Sequence, residues 1–169
     1  MRFGSYTVSE QVFYQTRKSF AIVNIRPILP GHVLVCPIRP VERFSQLNPE
    51  EVADLFQAVH SVSRAIETYY GAQALNISIQ DGPLAGQSIA HVHCHIIPRR
   101  LHDLPNVDDV YKLLDENNFT GAYKLVKERS REQFTGPDND QRVNRTPEDM
   151  KDEATRLKQY IVSHIDPTI

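Results

Sequence analysis

The 169-residue chain has no tryptophan, only two cysteines, no marked excess of either charge and no long apolar run. Two cysteines, Cys36 and Cys94, are too few for a disulfide-framed scaffold or a cysteine-rich zinc site. Each sits in an apolar, strand-like run. That setting favours reduced, buried thiols in a cytosolic or nuclear protein over a disulfide between the two. The 19 Lys and Arg against 21 Asp and Glu, a formal charge of −2, lack the basic excess of a nucleic-acid-binding face. No stretch approaches the roughly 20 apolar residues of a membrane span, and the N-terminus lacks the charged-then-apolar order of a signal peptide. Repeats and low-complexity segments are missing as well. What remains is one domain over residues 1–169, long enough to bury a sizeable core.

The first third reads as extended segments at Val12–Gln15, residues 20–25 and residues 32–38, with Pro27, Pro30 and Gly31 punctuating a hairpin-like return. The period then changes. Asn48-Pro49-Glu50-Glu51 offers an N-cap, a proline at the first helical position and an acidic residue at the third. Val52, Leu55, Phe56, Val59, Val62, Ile66 and Tyr69 follow at helical spacing, and Gly71 supplies a stop. Residues 75–80 alternate, with Leu75, Ile77 and Ile79 on one face and Asn76, Ser78 and Gln80 on the other. Residues 107–117 suggest a short helix, and residues 119–146 a flexible loop with little periodicity. Thr146-Pro147-Glu148-Asp149 opens a C-terminal helix over 147–164. The fold class is α+β: an antiparallel sheet of about five strands whose oily side is covered by the long helix from Pro49.

The densest chemistry lies in Ser88-Ile89-Ala90-His91-Val92-His93-Cys94-His95-Ile96-Ile97-Pro98. In a strand, residues two apart share a face, so His91, His93 and His95 form one imidazole row opposite Val92, Cys94 and Ile96. Zinc requires ligands converging at about 2.0–2.1 Å, whereas same-face strand positions lie roughly 6.6 Å apart. Two rings can share an ion; three cannot without severe distortion, and no helical H-E-x-x-H pattern or close cysteine pair supplies other ligands. A solvated polar sheet face is the plainer alternative. Phosphate chemistry suits the row better, because neutral imidazole is a nucleophile for phosphorus and a protonated neighbour can bond phosphate oxygens.

At these residues the sequence resembles the histidine triad of the HIT superfamily, H-x-H-x-H followed by apolar residues. Ser19-Phe20-Ala21-Ile22-Val23-Asn24, the stretch from Pro30-Gly31-His32 through Arg43-Phe44, and Gln80-Asp81-Gly82-Pro83 with Ala85-Gly86-Gln87 resemble its Fhit branch. The likeness runs from about residue 3 to Tyr111 and resumes weakly in the final helix. Gln80 stands where Hint-type phosphoramidases carry Asn, and their Trp-Pro-Pro-Gly tail is missing. His95 stands where galactose-1-phosphate uridylyltransferases have Gln, and no zinc-finger extension of the aprataxin kind follows.

The resemblance implies an enzyme that hydrolyses diadenosine polyphosphates, Ap3A or Ap4A, to AMP and the remaining nucleotide. It implies His93 as nucleophile, forming an adenylyl-histidine, with its other ring nitrogen donating to a backbone carbonyl. His95 is expected on the α-phosphate and bridging oxygens, and His91 as an orienting group acting through His32. Gln80 is expected to contact phosphate, and Gly86, Gln87, Ser88 and Ile89 to hold the polyphosphate. Asn24 is the family's ribose position, with Ile22 and Leu34 lining a purine slot. Read alone, Asn24 is equally a turn former, His32 a core histidine and Gln80 a strand end. Arg99 and Arg100 either add positive potential or are plain exposed charge, and Tyr111 matches a family tyrosine. No metal ligands and no tightly bound cofactor are expected; Mg2+ or Mn2+ would arrive with the substrate phosphates. The partner expected is a second copy in a homodimer. The alternatives are a Hint-like phosphoramidase or nucleotidyl hydrolase, and a signalling module whose nucleotide-bound state matters.

Overall fold

The computed structural model describes residues 1–115 and 144–165. A hairpin of β1 (Arg2–Phe3) and β2 (Tyr6–Thr7) precedes β3 (Val12–Gln15), β4 (Ser19–Val23) and β5 (Val33–Pro37). Helix α1 (Pro49–Tyr70), β6 (Ala74–Ile79), β7 (Cys94–Arg99), α2 (Asp109–Asp115) and α3 (Pro147–His164) complete it. Strands β3 to β7 form one antiparallel sheet in the order β3-β4-β5-β7-β6, so the expected α+β architecture is observed. The flexible loop expected over 119–146 lies, up to residue 143, outside the described residues.

Helix α1 has the bounds its capping signals dictate. Asn48 accepts from the Glu51 amide at 2.9 Å, while Glu51 reaches back to the Asn48 amide at 2.9 Å. Gly71 closes the helix in the left-handed conformation, φ 59°. The apolar stripe of α1 buries Leu55, Val62 and Ile66 against Ala21, Val23, Val33, Val35, Cys94 and Ile96 of the sheet, with Leu157 and Ile161 of α3 in the same core. Fully burying one such aliphatic side chain contributes about 1.5–3 kcal/mol.

The second sheet face is not solvated. Every residue of β4, β5 and β7 is buried. Phe20, Ile22, Leu34 and Cys36 lie under Phe3 and Val8 from the N-terminal segment. Ile97 packs beneath Val110 and Leu114 of α2. The two edge strands depart from this: Gln15 of β3 is exposed, and on β6 Leu75 and Ile79 pack on the core while Ile77 is 48 % exposed. The strand expected to hold all three histidines begins later than the alternation suggests, at Cys94. His91 and His93 belong to its extended lead-in, pinned by the Val92 amide on Val41 O at 2.7 Å. Alternation persists there, and Val92 still enters the core. Cys36 and Cys94 are free thiols assigned to opposite-face clusters.

Glu51 also pairs with Arg39 at 2.6 Å, and that hydrogen bond, helped by the Asn48 amide, lowers its carboxyl to about 2. The folded protein therefore binds this proton more weakly than the unfolded chain, and the contribution disappears as pH falls from about 4.5 through about 2. Asn48→Ala should lower the unfolding free energy by about 1 kcal/mol in urea titrations at neutral pH. Glu51→Gln should make the acid limb of stability shallower; an unchanged limb would remove Glu51 from that role.

Candidate active site

The sheet register assembles the site. Ile22 pairs with Leu34 and Leu34 with His95, whose other neighbour is Ser78. The row Ile22, Leu34, His95 thus crosses three strands on the face away from α1. His91, His93 and His95 are 0 %, 3 % and 3 % exposed, a buried set rather than a wet one. Their spacing is tighter than an ideal strand gives: the His93 and His95 ring centroids lie 4.9 Å apart, edge to face.

Main-chain groups assign the imidazole protons, since a neutral ring has one donor and one acceptor nitrogen. The Gly4 amide donates to His91 Nδ1 at 3.1 Å, so His91 carries its proton on Nε2 and donates to Pro37 O at 2.8 Å. His93 Nδ1 lies 2.8 Å from His91 O, a carbonyl that can only accept. His93 therefore holds its proton on Nδ1, and its Nε2 is a bare lone pair. The second chain starts at the Ile28 amide, which donates to His32 Nδ1 at 3.1 Å. His32 Nε2 then carries the proton and donates to His95 Nδ1 at 3.0 Å. His95 is left with a proton on Nε2, an atom buried without a protein partner. A nucleophilic nitrogen and a hydrogen-bond donor thus sit on adjacent rings.

Burial keeps these rings neutral. It lowers His93 to about 4, only partly opposed by the His91 carbonyl. His95 is pushed well below the ordinary histidine value, first by burial and then by His93 and His32; His91 is lowered by burial as well. Burial therefore favours donation from a neutral His95 Nε2–H over donation from a protonated ring.

His32 contacts His95, not His91 as expected. Asn24 joins them, with Nδ2 3.3 Å from His32 Nε2 and Oδ1 accepting from the Arg26 amide at 2.9 Å. Gln80 is half-buried just past Ile79, and continuing the Ile79–Cys94 register sets it opposite His93. In the Gly86–Ile89 loop the parts divide. The Gly86 and Gln87 amides close turns onto Pro83 O and Gly82 O. The Gln87 side chain spans the Gly82 amide at 2.9 Å and Glu42 O at 2.8 Å, so it braces the loop rather than reaching outward. Asp81 secures the same loop to Arg43 and the Phe44 amide. Ile89 packs beside Phe3. Arg99 is no exposed charge: it is buried on Asp103, Asn76 and Val107 O. Arg100 is exposed, and so is Tyr111.

The sequence reading missed Phe3 and Gly4. The Phe3 ring lies 5.6 Å from His91 and 5.2 Å from His93, and the Gly4 amide fixes the His91 tautomer. A Cβ on Gly4 would fall 2.6 Å from Ile89 Cγ2, and its φ of 55° disfavours one anyway. The only local signal is a Gly-Ser turn between two aromatic residues. Among the described residues, no three His, Cys, Asp or Glu side chains converge as a metal-ligand set.

A five-stranded antiparallel sheet bearing a buried histidine row beside a glycine-containing loop is the architecture of histidine-triad proteins. The HIT domain profile matches residues 6–102, and the chain belongs to the HIT domain family. It is 46 % identical over 169 aligned positions to the bis(5'-nucleosyl)-tetraphosphatase (asymmetrical) of Schizosaccharomyces pombe, covering 94 % of this chain and 92 % of the relative. It is 43 % identical to the bifunctional bis(5'-adenosyl)-triphosphatase/adenylylsulfatase FHIT of Arabidopsis thaliana, covering 92 % and 81 %. Among solved structures, the Plasmodium falciparum diadenosine triphosphate hydrolase in complex with cyclomarin A superposes with a TM-score of 0.71 at 27 % identity, covering 96 % of this chain and 84 % of that one.

The tautomers have a measurable consequence. With folded pKa values below the unfolded value of about 6.5, the triad leaves the unfolded chain binding more protons. Stability contributed by the neutral rings should be complete above about 6.5 and decline as pH falls toward about 4. NMR titration of labelled histidine should find the His93 ring titrating near 4. A midpoint at the free-histidine value would contradict the buried, neutral site.

Proposed function

We propose that this protein hydrolyses diadenosine polyphosphates, Ap3A and Ap4A, at the α-phosphorus to release AMP together with ADP or ATP. The observation that carries this reading is the bare Nε2 of His93 beside the unpartnered Nε2–H of His95. The names of its relatives, triphosphatases and tetraphosphatases of dinucleotides, support the substrate class.

In the first step His93 Nε2 attacks the α-phosphorus; an N–P bond forms as the bond to the bridging oxygen breaks, and the remaining nucleotide departs. Water then attacks the adenylyl-histidine, the N–P bond breaks, and AMP leaves. Splitting one displacement into two lowers the barrier of each. His91 O holds the His93 Nδ1 proton, so the lone pair stays aimed and the charge growing on the ring is stabilised. His95 Nε2–H donates to an α-phosphate or bridging oxygen, and the negative charge of the phosphate raises its proton affinity there. Gln80, Ser88 and Ile89 steady the phosphate chain, Asn24 takes the ribose, and Ile22, Leu34 and Phe3 shape the base slot.

We expect no resident metal, and a divalent ion would arrive with the substrate phosphates. Among the described residues the outer edge of β6 is unpaired, and this edge, with Ile77 half exposed, supports pairing of two copies in a homodimer. Two free, buried thiols support a cytosolic or nuclear setting.

Product analysis with Ap3A and Ap4A should show AMP from both; no AMP from either would overturn the reading. The kcat/KM ratio against an adenosine phosphoramidate separates it from phosphoramidase activity, with the dinucleotide expected to be preferred. His93→Asn should bind substrate but turn over about ten-thousandfold more slowly, and near-normal turnover would remove His93 as nucleophile.

A further inference from the structure

His32 receives its tautomer from a loop, residues 24–31, whose own turn is closed by one main-chain bond, His32 N to Leu29 O at 3.1 Å. The outer side of that loop faces a cleft of about 310 Å³. Its rigidity comes from elsewhere. Gly31 has φ +85°, and a Cβ there would fall 2.6 and 2.7 Å from Tyr70 Cδ2 and Cε2, and 2.9 Å from Pro98 Cγ. The turn therefore lies flat on the Tyr70 ring, at the last residue of α1. The Tyr70 hydroxyl donates to one oxygen of Glu153 in α3, and Arg145 donates to the other. The Arg145 amide in turn donates to Ile25 O at 3.0 Å, and Arg26 donates to Asn144, so the loop is held at its start and beneath its end.

Glu153 is only 8 % exposed. A buried ion pair is weak evidence for stability, since desolvation offsets most of the attraction. What this one supplies is direction, with each carboxylate oxygen assigned to a different element. The hydrogen-bond chain it steadies has two consistent states. In the observed state His32 accepts from Ile28 and donates to His95. In the other state, His32 carries its proton on Nδ1 and its Nε2 accepts from His95 Nδ1. His95 would then hold its proton on Nδ1 and present a bare Nε2, which repels a phosphate oxygen. The Ile28 amide, donating to His32 Nδ1, opposes that state.

We propose that Tyr70, Glu153 and Arg145 are positioning residues, which hold the 24–31 loop so that the Ile28 amide stays on His32 and His95 keeps its Nε2 proton facing substrate. The kinetic consequence rests on the hydrolase reading; the tautomer consequence does not.

The test uses the full chain with labelled histidine and compares wild type, Tyr70→Phe, Arg145→Ala and Arg145→Lys. In the ligand-free wild type near neutral pH, the imidazole nitrogen signals of His32 and His95 should each report a single Nε2–H tautomer. Tyr70→Phe keeps the ring under Gly31 and removes only the hydroxyl; it and Arg145→Ala should give averaged tautomers at both rings. Their kcat on Ap3A should drop about tenfold, with a smaller change in KM, and Arg145→Lys should recover part of the loss. Folded variants with a lower melting temperature but unchanged His32 and His95 signals would overturn the proposal and leave the cluster a plain brace. Altered tautomers in the variants, with no AMP released by wild type, would sustain this inference while removing the hydrolase reading.

Discussion

An imidazole shut away from water must have its proton placed by its neighbours, and here the main chain does the placing. Four backbone groups, the amides of Gly4 and Ile28 and the carbonyls of Pro37 and His91, account for both chains of histidine hydrogen bonds. Backbone amides only donate and backbone carbonyls only accept, so neither chain can reverse while those contacts hold. The result is a difference between chemically identical side chains: His93 ends in a lone pair and His95 in a proton. Burial reinforces the difference by keeping both rings neutral.

The fold exists around this requirement as much as around its core. The four groups come from an N-terminal hairpin, a loop after β4, the end of β5 and the lead-in to β7, separate segments spread between Gly4 and His91. They meet because β4, β5 and β7 are neighbours in the sheet and because α1 and α3 clamp one face firmly. The other face, which carries the histidines, is closed by Phe3, Val8 and Ile89. A cleft of about 530 Å³ between α3 and the segment around Glu10 contains none of these groups.

Much of this was legible in the sequence, for local reasons. Helix α1 announces both ends, by a capping box and by Gly71, and the alternation at residues 91–96 correctly separates core from site; at residues 75–80 it holds for Leu75 and Ile79 but not for Ile77, which is exposed at the sheet edge. The histidine row and its neighbours named the family. What escaped depends on long-range register. That His32 meets His95 rather than His91 follows from the pairing of Leu34 with His95, which no local pattern encodes. The contribution of Gly4 acts across 87 positions, from a hairpin with only two residues per strand. Gln87 and Arg99 read as ligand-facing or exposed because polar residues in loops usually are. Here each satisfies buried backbone and side-chain partners, Gln87 across its own loop and Arg99 on Asp103 and Asn76.

The central claim is that one nitrogen, His93 Nε2, forms a bond to phosphorus. The most direct measurement is a rapid alkaline quench during a single turnover of Ap3A, followed by mass spectrometry of the peptides. The account predicts an adenylyl group on His93, appearing before AMP and decaying as AMP accumulates. AMP formed with no protein-bound adenylyl group, or with the group on His95, would contradict it.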